Sequence, residues 1–184
     1  MKKSLMAALA VLLLAALTAC GGKNAAKENG IADSLELLKT VWESWPEDQA
    51  FSAAGGDSEE MVMDGPGSFS TENADALDAA LAFPASEAEK IDDAASLVHM
   101  MNANTFTAGA FRLRDAKDSE AVAEAVKTGL SGRQWLCGFP EEYLIASVDN
   151  YLVSVFGTAE LVETFKTQLD SAYENVSVLS EGPL

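Results

Sequence analysis

Residues 143–156 read YLIASVDNYLVSVF, and this stretch decides the fold. Two runs rich in β-branched and aromatic residues, 143–148 and 151–156, are separated only by Asp149 and Asn150. A two-residue connection of this type calls for a positive φ at both positions, which Asp and Asn tolerate better than most residues. The stretch therefore predicts a β-hairpin.

Four amphipathic helices are predicted around this hairpin, because apolar residues recur there every three or four positions. Asp33 opens the first helix in a capping box with Glu36, and Pro46 stops it. The second helix begins at residue 71 or 72 and ends at 83–84, the third runs from Asp118 to about residue 132, and Thr158 caps the fourth. The residues expected to face the core are Ile31, Leu35, Leu38, Trp42 and Trp45, then Leu77 and Leu81, then Val122, Val126 and Leu130, and finally Leu161, Phe165, Leu169 and Tyr173.

A second strand pair is predicted between the second and third helices. Residues 91–101 fit a strand or a helix, but the Asn102-Ala103-Asn104 break indicates that the chain turns back into a strand at 105–113. The order of elements then favours an α+β fold, with a small, mostly antiparallel sheet and helices packed on one face. Residues 31–184 are expected to form this single domain, with a short C-terminal tail.

The length and charge of the chain restrict the classes of protein to consider. It has 184 residues, which suits one domain with a core, and a formal net charge of −17. So negative a surface repels phosphate backbones and anionic lipid headgroups, which excludes nucleic acid as a partner and disfavours direct docking on a membrane. It attracts a cationic peptide or protein, although acidity that only keeps the protein soluble is the plainer interpretation.

The first 19 residues have the layout of a secretory signal peptide. Lys2 and Lys3 precede an apolar run at 5–17, which is shorter than the roughly 20 residues that cross a bilayer. The tetrad LTAC at 17–20 resembles a lipobox, after which cleavage leaves Cys20 as the first residue with a lipid on its sulfur. The alternative is an ordinary signal peptide with a chance cysteine.

Lipidation of Cys20 would make the chain a lipoprotein at the extracytoplasmic face of the cell membrane. Stable anchoring requires two acyl chains, such as palmitate, since one chain binds only marginally. The small and polar residues at 20–30 are typical of a flexible tether. The membrane is therefore expected to be contacted through the lipid alone.

A long acidic and glycine-rich loop is predicted over residues 47–71, with a short strand at 61–63. Asp57, Glu59, Glu60 and Asp64 offer oxygen ligands to a hard cation such as calcium, although their spacing is not that of the twelve-residue calcium loop. A solvated loop is the favoured interpretation, and a cation-binding surface module is the alternative.

Cys137 and His99 are the candidates for chemistry in the body. With Cys20 lipidated, Cys137 has no partner for an intramolecular disulfide, and the two residues do not make a zinc site. Cys137 as a nucleophile would need His99 as its base, which defines the alternative of a thiol-dependent enzyme or redox factor. We favour a small buried thiol in a turn packed by Trp135 and Phe139, and a structural, hydrogen-bonded His99.

Three stretches resemble a family of lipoproteins of unknown function from low-GC Gram-positive bacteria, some of which carry the label "bacteriocin transport accessory protein". They are AASLVHMMNANTFTAG at 94–109, QWLCGFP at 134–140, and FG at 156–157 with TFK at 164–166. The resemblance covers the whole body and implies an accessory role in export. It implies no active site that can be transferred to residues of this chain.

These observations together predict a membrane-anchored extracytoplasmic protein that binds a partner or assists an exporter. No residue is assigned as catalytic, cofactor-binding or metal-binding, no cofactor is expected, and the protein is more plausibly a binding protein than an enzyme. Trp42 and Trp45 are expected in the core, with ligand stacking as the alternative.

Overall fold

The computed structural model describes residues 30–136 and 138–184. The predicted signal peptide, Cys20 and the tether up to residue 29 lie outside the described residues, as does Cys137. Residues Ile31–Leu184 form one compact unit.

Eight antiparallel strands form one sheet in the order β2-β1-β4-β5-β7-β6-β8, with β3 also pairing with β4. The α+β class and the antiparallel sheet are therefore confirmed. The strands are β1 Ala53–Gly55, β2 Val62–Met63, β3 Gly67–Ser68, β4 Ile91–His99, β5 Phe106–Leu113, β6 Glu142–Val148, β7 Tyr151–Gly157 and β8 Val176–Pro183.

Four α-helices accompany the sheet: α1 Ser34–Glu43, α2 Ala74–Leu81, α3 Ser119–Gly132 and α4 Ala159–Ala172. Short 3₁₀ turns lie at Glu47–Gln49, Ala85–Lys90 and Ala116–Asp118. Asp33 accepts the N–H of Glu36 as predicted, whereas Asp118 and Thr158 precede their helices without a side-chain cap. At the start of α4, the Glu141 carboxylate accepts the N–H of Ala159 at 2.8 Å, which satisfies one of the backbone donors that a helix start leaves unpaired.

Helices cover both faces of the sheet, which corrects the prediction of one covered face. Alternate strand residues feed two separate cores, since successive side chains point to opposite faces. Against one face α1 and α4 bury Leu38, Val41 and Phe165 on the sheet residues Ala108 and Val153. The opposite face holds a second core with α2 and α3, built from Leu77, Leu81, Val122, Val126, Leu130, Phe83, Phe111, Ile145 and Leu152.

The central hairpin forms as its sequence predicts. β6 and β7 pair in register from Val148 and Tyr151 outward, and Asp149 and Asn150 make the turn. Asp149 has a φ of 52°, but Asn150 is not among the residues with positive φ, so only the first turn position is left-handed. The expectation of positive φ at both positions was wrong.

Two further stretches form strands. Residues 91–101, which fit a strand or a helix in sequence, begin with β4, which pairs with β5 through the turn at 100–105, so the predicted second strand pair is confirmed. The predicted tail contains β8, which pairs with β6 along its whole length. The loop at 47–71 contains the short strand expected near 61–63, and also β1 and β3.

Candidate functional site

All four methionines that follow Cys20 lie on the surface of the body. Met61, Met63, Met100 and Met101 are 45–77% exposed, although methionine is among the residues most often buried. They occur in two groups, at β2 or directly before it and at the turn after β4. Exposed apolar side chains in such a group require a reason beyond packing.

Strand pairing places two of these methionines, Met63 and Met100, on the same face of the sheet. Met63 lies opposite Ala54, and Ala54 lies opposite Val98, so their side chains share the face that carries α2 and α3 elsewhere. The pairing extends to Ala53 opposite His99, and the N–H of Met100 donates to the carbonyl of Ser52 at 2.9 Å, which continues it by one more residue. Met61 lies directly before β2, two positions from Met63, and is 64% exposed.

The helices stop short of this corner of the sheet. Residues that lie opposite one another form a row across the sheet, which runs from Met63 and Val98 through Thr107 to Phe156. The Trp135 ring packs on Phe156, with the two ring centroids 5.1 Å apart. Phe156 is buried under that cover, whereas Val98 is half-buried and Met63 exposed. The outer strands β1, β2 and the end of β4 thus present an open apolar surface.

The loop after α3 borders the same surface and is fixed there by one side chain. The amide nitrogen of Asn104 donates to the carbonyls of Leu136 at 2.7 Å and Gly138 at 3.0 Å. These two bonds hold the loop against the β4–β5 turn, with Leu136 and Phe139 80% and 79% exposed. We call the whole surface the methionine face: it comprises Ala54, Met61, Met63, Val98, Met100, Met101, Leu136 and Phe139.

Asp57 fixes the β2 edge of the methionine face. Its carboxylate accepts the N–H groups of Glu60 at 3.0 Å, Glu59 at 2.9 Å and Ser70 at 3.1 Å. These bonds, with Glu60 first, lower the pKa of Asp57. Asp57 therefore orders the turn, and within the described ranges no three or more His, Cys, Asp or Glu residues are grouped so as to hold a metal ion.

The two tryptophans of the first helical stripe belong to an aromatic cluster on the other face. Trp45 is buried and packs on Phe51 and Phe106, and its indole N–H donates to the carbonyl of Gln49. Trp42 is half-buried and donates to the carbonyl of Asp64 at 3.1 Å. Both polar edges are occupied, which agrees with a packing role.

His99 sits at the edge of this aromatic cluster. Its ring stacks on Phe51 with centroids 5.3 Å apart and planes 16° apart, and Nδ1 accepts the N–H of Asn102 at 3.3 Å. This is the hydrogen-bonded, structural environment expected for it from the sequence. The ring helps to fix the turn that carries Met100 and Met101.

The two aromatic residues expected beside Cys137 differ in their surroundings. Trp135 packs on Phe156, with the Arg133 guanidinium 5.7 Å from its ring centre. Phe139 is exposed. The predicted packing of the Cys137 thiol falls on a residue outside the described ones.

The charges around the body are overwhelmingly negative. The sequence has 29 Asp and Glu against 12 Lys and Arg; Lys2, Lys3, Lys23, Lys27 and Glu28 precede residue 30, which leaves 28 carboxylates and eight cations in the body. Six of those eight cations are within 4.0 Å of a carboxylate: Lys90, Arg112, Arg114, Lys127, Arg133 and Lys166.

The sequence alone did not reveal the methionine face. Met61, Met63, Met100 and Met101 fall outside every predicted helical stripe, and this was the one signal available. The register that gathers them depends on β1, which joins β2 to β4 and was not predicted.

No protein-family model, curated protein or solved structure matches this chain. None of the helices in the described part of the chain is long and apolar enough to cross a membrane.

Proposed function

We propose that this protein is a lipoprotein, anchored through Cys20 at the extracytoplasmic face of the cell membrane, and that its body binds a partner protein without catalysing a reaction. The lipobox-like tetrad at 17–20 supports the anchor. A role as an accessory to an exporter, which the family resemblance implies, is one form of this function.

The methionine face is the observation that supports binding. Its eight residues lie at the end of the sheet where β4 ends and β5 begins. The chain enters the body at the opposite end, where the Tyr151 hydroxyl donates to the Ile31 carbonyl at 3.0 Å and Asp93 accepts the N–H of Ser34. An anchor joined through Ile31 thus leaves the face at the far end of the sheet.

Site-specific photo-crosslinking in intact cells tests this function. A photoreactive residue replaces Met63 or Met100 on the face, and Val178 on β8 serves as the control, since it is also exposed and apolar. We expect a discrete crosslinked product from the two face positions only. Equal products from Val178, or none from the face, would contradict a docking role.

A thiol-dependent function is the second candidate, because the structure brings the loop around Cys137 to the turn next to His99. Asn104 bonds the carbonyls on both sides of Cys137, and Asn102 donates its N–H to His99. The rate of thiol alkylation near neutral pH tests it. A fast rate that falls in His99→Gln would favour this function over simple binding, and a slow rate would remove it.

A further inference from the structure

The methionine face combines an apolar floor with a negatively charged border. Glu59 and Glu60 directly precede Met61, and Asp64 directly follows Met63; all three are exposed. On the side of Phe139, the Glu141 carboxylate is instead engaged by the N–H of Ala159 at the start of α4. The carboxylate border therefore lies on the β2 side of the face.

The neighbouring cation does not neutralise this border. Arg133, at the end of α3, is engaged with the Asp78 carboxylate at 3.1 Å and with the Ala79 carbonyl. The closest charged groups in sequence to the exposed methionines are all acidic. A ligand that covers the apolar floor thus meets carboxylates at this edge, and positive charge on it is favourable.

The chemistry of the floor favours a ligand with an apolar stripe. Methionine side chains are flexible and polarizable, so a surface of them adapts to side chains of different shape. The hydrogen bonds of the Asn104 and Asp57 side chains hold the backbone beneath this surface in place. Less conformational entropy is therefore lost when a ligand binds. The acidic border disfavours anionic lipid as the ligand. The face also lies at the end of the sheet opposite Ile31, where the chain enters the body.

We propose that the methionine face binds a basic amphipathic helix of a partner peptide or protein, with its apolar stripe on the methionines and its lysines or arginines on the bordering carboxylates. The inference rests on the proposed binding function and specifies the chemistry of the partner. The partner helix would lay its apolar stripe on an open apolar surface, as amphipathic helices do in other recognition modes.

The methionines provide a direct measurement. Both cores consist of residues from 31 onward, so the body from Gly21 to Leu184 keeps all of their contacts, and circular dichroism checks its folding. With methyl-labelled methionine this body gives four NMR signals, from Met61, Met63, Met100 and Met101. All four report on the face.

Three peptides of about 18 residues, long enough to form a helix, serve as probes. The first has leucine at helical spacing and lysine elsewhere, the second replaces each lysine by glutamate, and the third is a scrambled form of the first. We expect the first to shift all four methionine signals and to bind at least about tenfold more tightly than the others, since each of them lacks one of the two required features.

Two variants divide the interaction into its apolar and charged parts. Replacing Met61, Met63 and Met100 by serine should weaken binding about tenfold, whereas Val178→Ser should leave it unchanged. The pair Glu59→Gln and Glu60→Gln should weaken it roughly threefold. The pair Glu120→Gln and Glu174→Gln changes the net charge equally at exposed sites remote from the face, and should have less effect.

Other results would overturn the inference in distinguishable ways. If the glutamate peptide bound the face as well as the lysine peptide, the partner's charge would be wrong and the docking function would stand. If no peptide moved the methionine signals, the helical partner would be wrong, and crosslinking in cells would decide the docking function separately. If vesicles of phosphatidylcholine moved them, the face would contact membrane and both proposals would fail.

Discussion

At the scale of single residues, two buried serines on the same sheet differ in their hydrogen bonds. Ser96 lies opposite Gly109, which lies opposite Ser154, so the three form one row. The Ser96 hydroxyl accepts the N–H of Gly56 at 2.9 Å and donates to its carbonyl at 3.0 Å. The Ser154 hydroxyl is buried and has no hydrogen-bond partner among the described residues. Burial of a polar group is costly only where its hydrogen bonds are not replaced.

The two serines therefore predict opposite responses to alanine. Ser154→Ala should leave the free energy of unfolding unchanged or raise it by up to about 1 kcal/mol, because it removes an unsatisfied group. Ser96→Ala should lower it by about 1–3 kcal/mol, because two polar groups of Gly56 lose their partner. Urea unfolding of both variants measures this, and a larger loss in Ser154→Ala than in Ser96→Ala would refute the assignment.

Gly109 in the same row provides space for an aromatic ring. A Cβ at this position would lie 2.5 Å from the Phe111 ring, which is itself buried against Phe83 at 4.3 Å between centroids. Gly109→Ala should therefore lower the free energy of unfolding by about 1–3 kcal/mol through overpacking. Gly132→Ala, where nothing lies within 4 Å of the new Cβ, is the control in thermal unfolding. Similar losses in both variants would be evidence against this packing.

At the scale of elements, local chemistry determined what the sequence could predict. The hairpin of β6 and β7 and the helix start at Asp33 depend on residues a few positions apart, and both are present. β8 and β1 depend on pairing with β6 and β4 far along the chain, and neither was predicted. Helical stripes specify which side of a helix is buried but not which face of the sheet it meets, and so the second helical layer was missed.

Glycine in the turn of the central hairpin should stabilise the protein at one of the two turn positions only. Asp149 has a φ of 52°, a conformation that costs roughly 1 kcal/mol for a residue with a Cβ. Asp149→Gly should therefore raise the free energy of unfolding by up to about 1 kcal/mol. Asn150→Gly should lower the free energy of unfolding by about 0.5–1 kcal/mol, because glycine makes the unfolded chain more flexible and Asn150 has no positive φ whose strain it could relieve. Equal effects in chemical unfolding would show that the positive φ carries no cost.

The turn held by Asp57 should respond to acid. Since its pKa is lowered on folding, the charged carboxylate stabilises the protein above the ordinary Asp pKa of about 3.9, and this contribution is lost as pH falls through the lower folded value. Asp57→Asn should thus be less stable than the native chain at pH 7, with a difference that narrows as the pH falls below the ordinary Asp pKa. Unfolding measured against pH tests this, with the exposed Glu174→Gln as a control. A difference that stays constant with pH would contradict it.

At the scale of the whole molecule, two helical layers cover a wide sheet but leave one corner open. α1 and α4 close one face, and α2 and α3 close most of the other. The outer strands at the end of β4 remain uncovered, and there the methionines of β2 and of the β4–β5 turn meet. Sequence patterns were sufficient to predict the fold class. They could not predict this surface, because it depends on the register of β1 and β2, two strands whose pairing the patterns do not specify. The proposed binding of a partner at this surface depends on a location of the protein outside the cytoplasm.

The lipid anchor at Cys20 determines where the protein and any partner of the methionine face meet. Mass spectrometry of the N-terminal peptide of the protein purified from membranes tests it directly. We predict a peptide that begins at Cys20 and carries a diacylglyceryl group on its sulfur, and in Cys20→Ala the uncut or unlipidated chain. An unmodified Cys20 in a chain that retains residues 1–19, or a mature terminus elsewhere without lipid, would contradict the account.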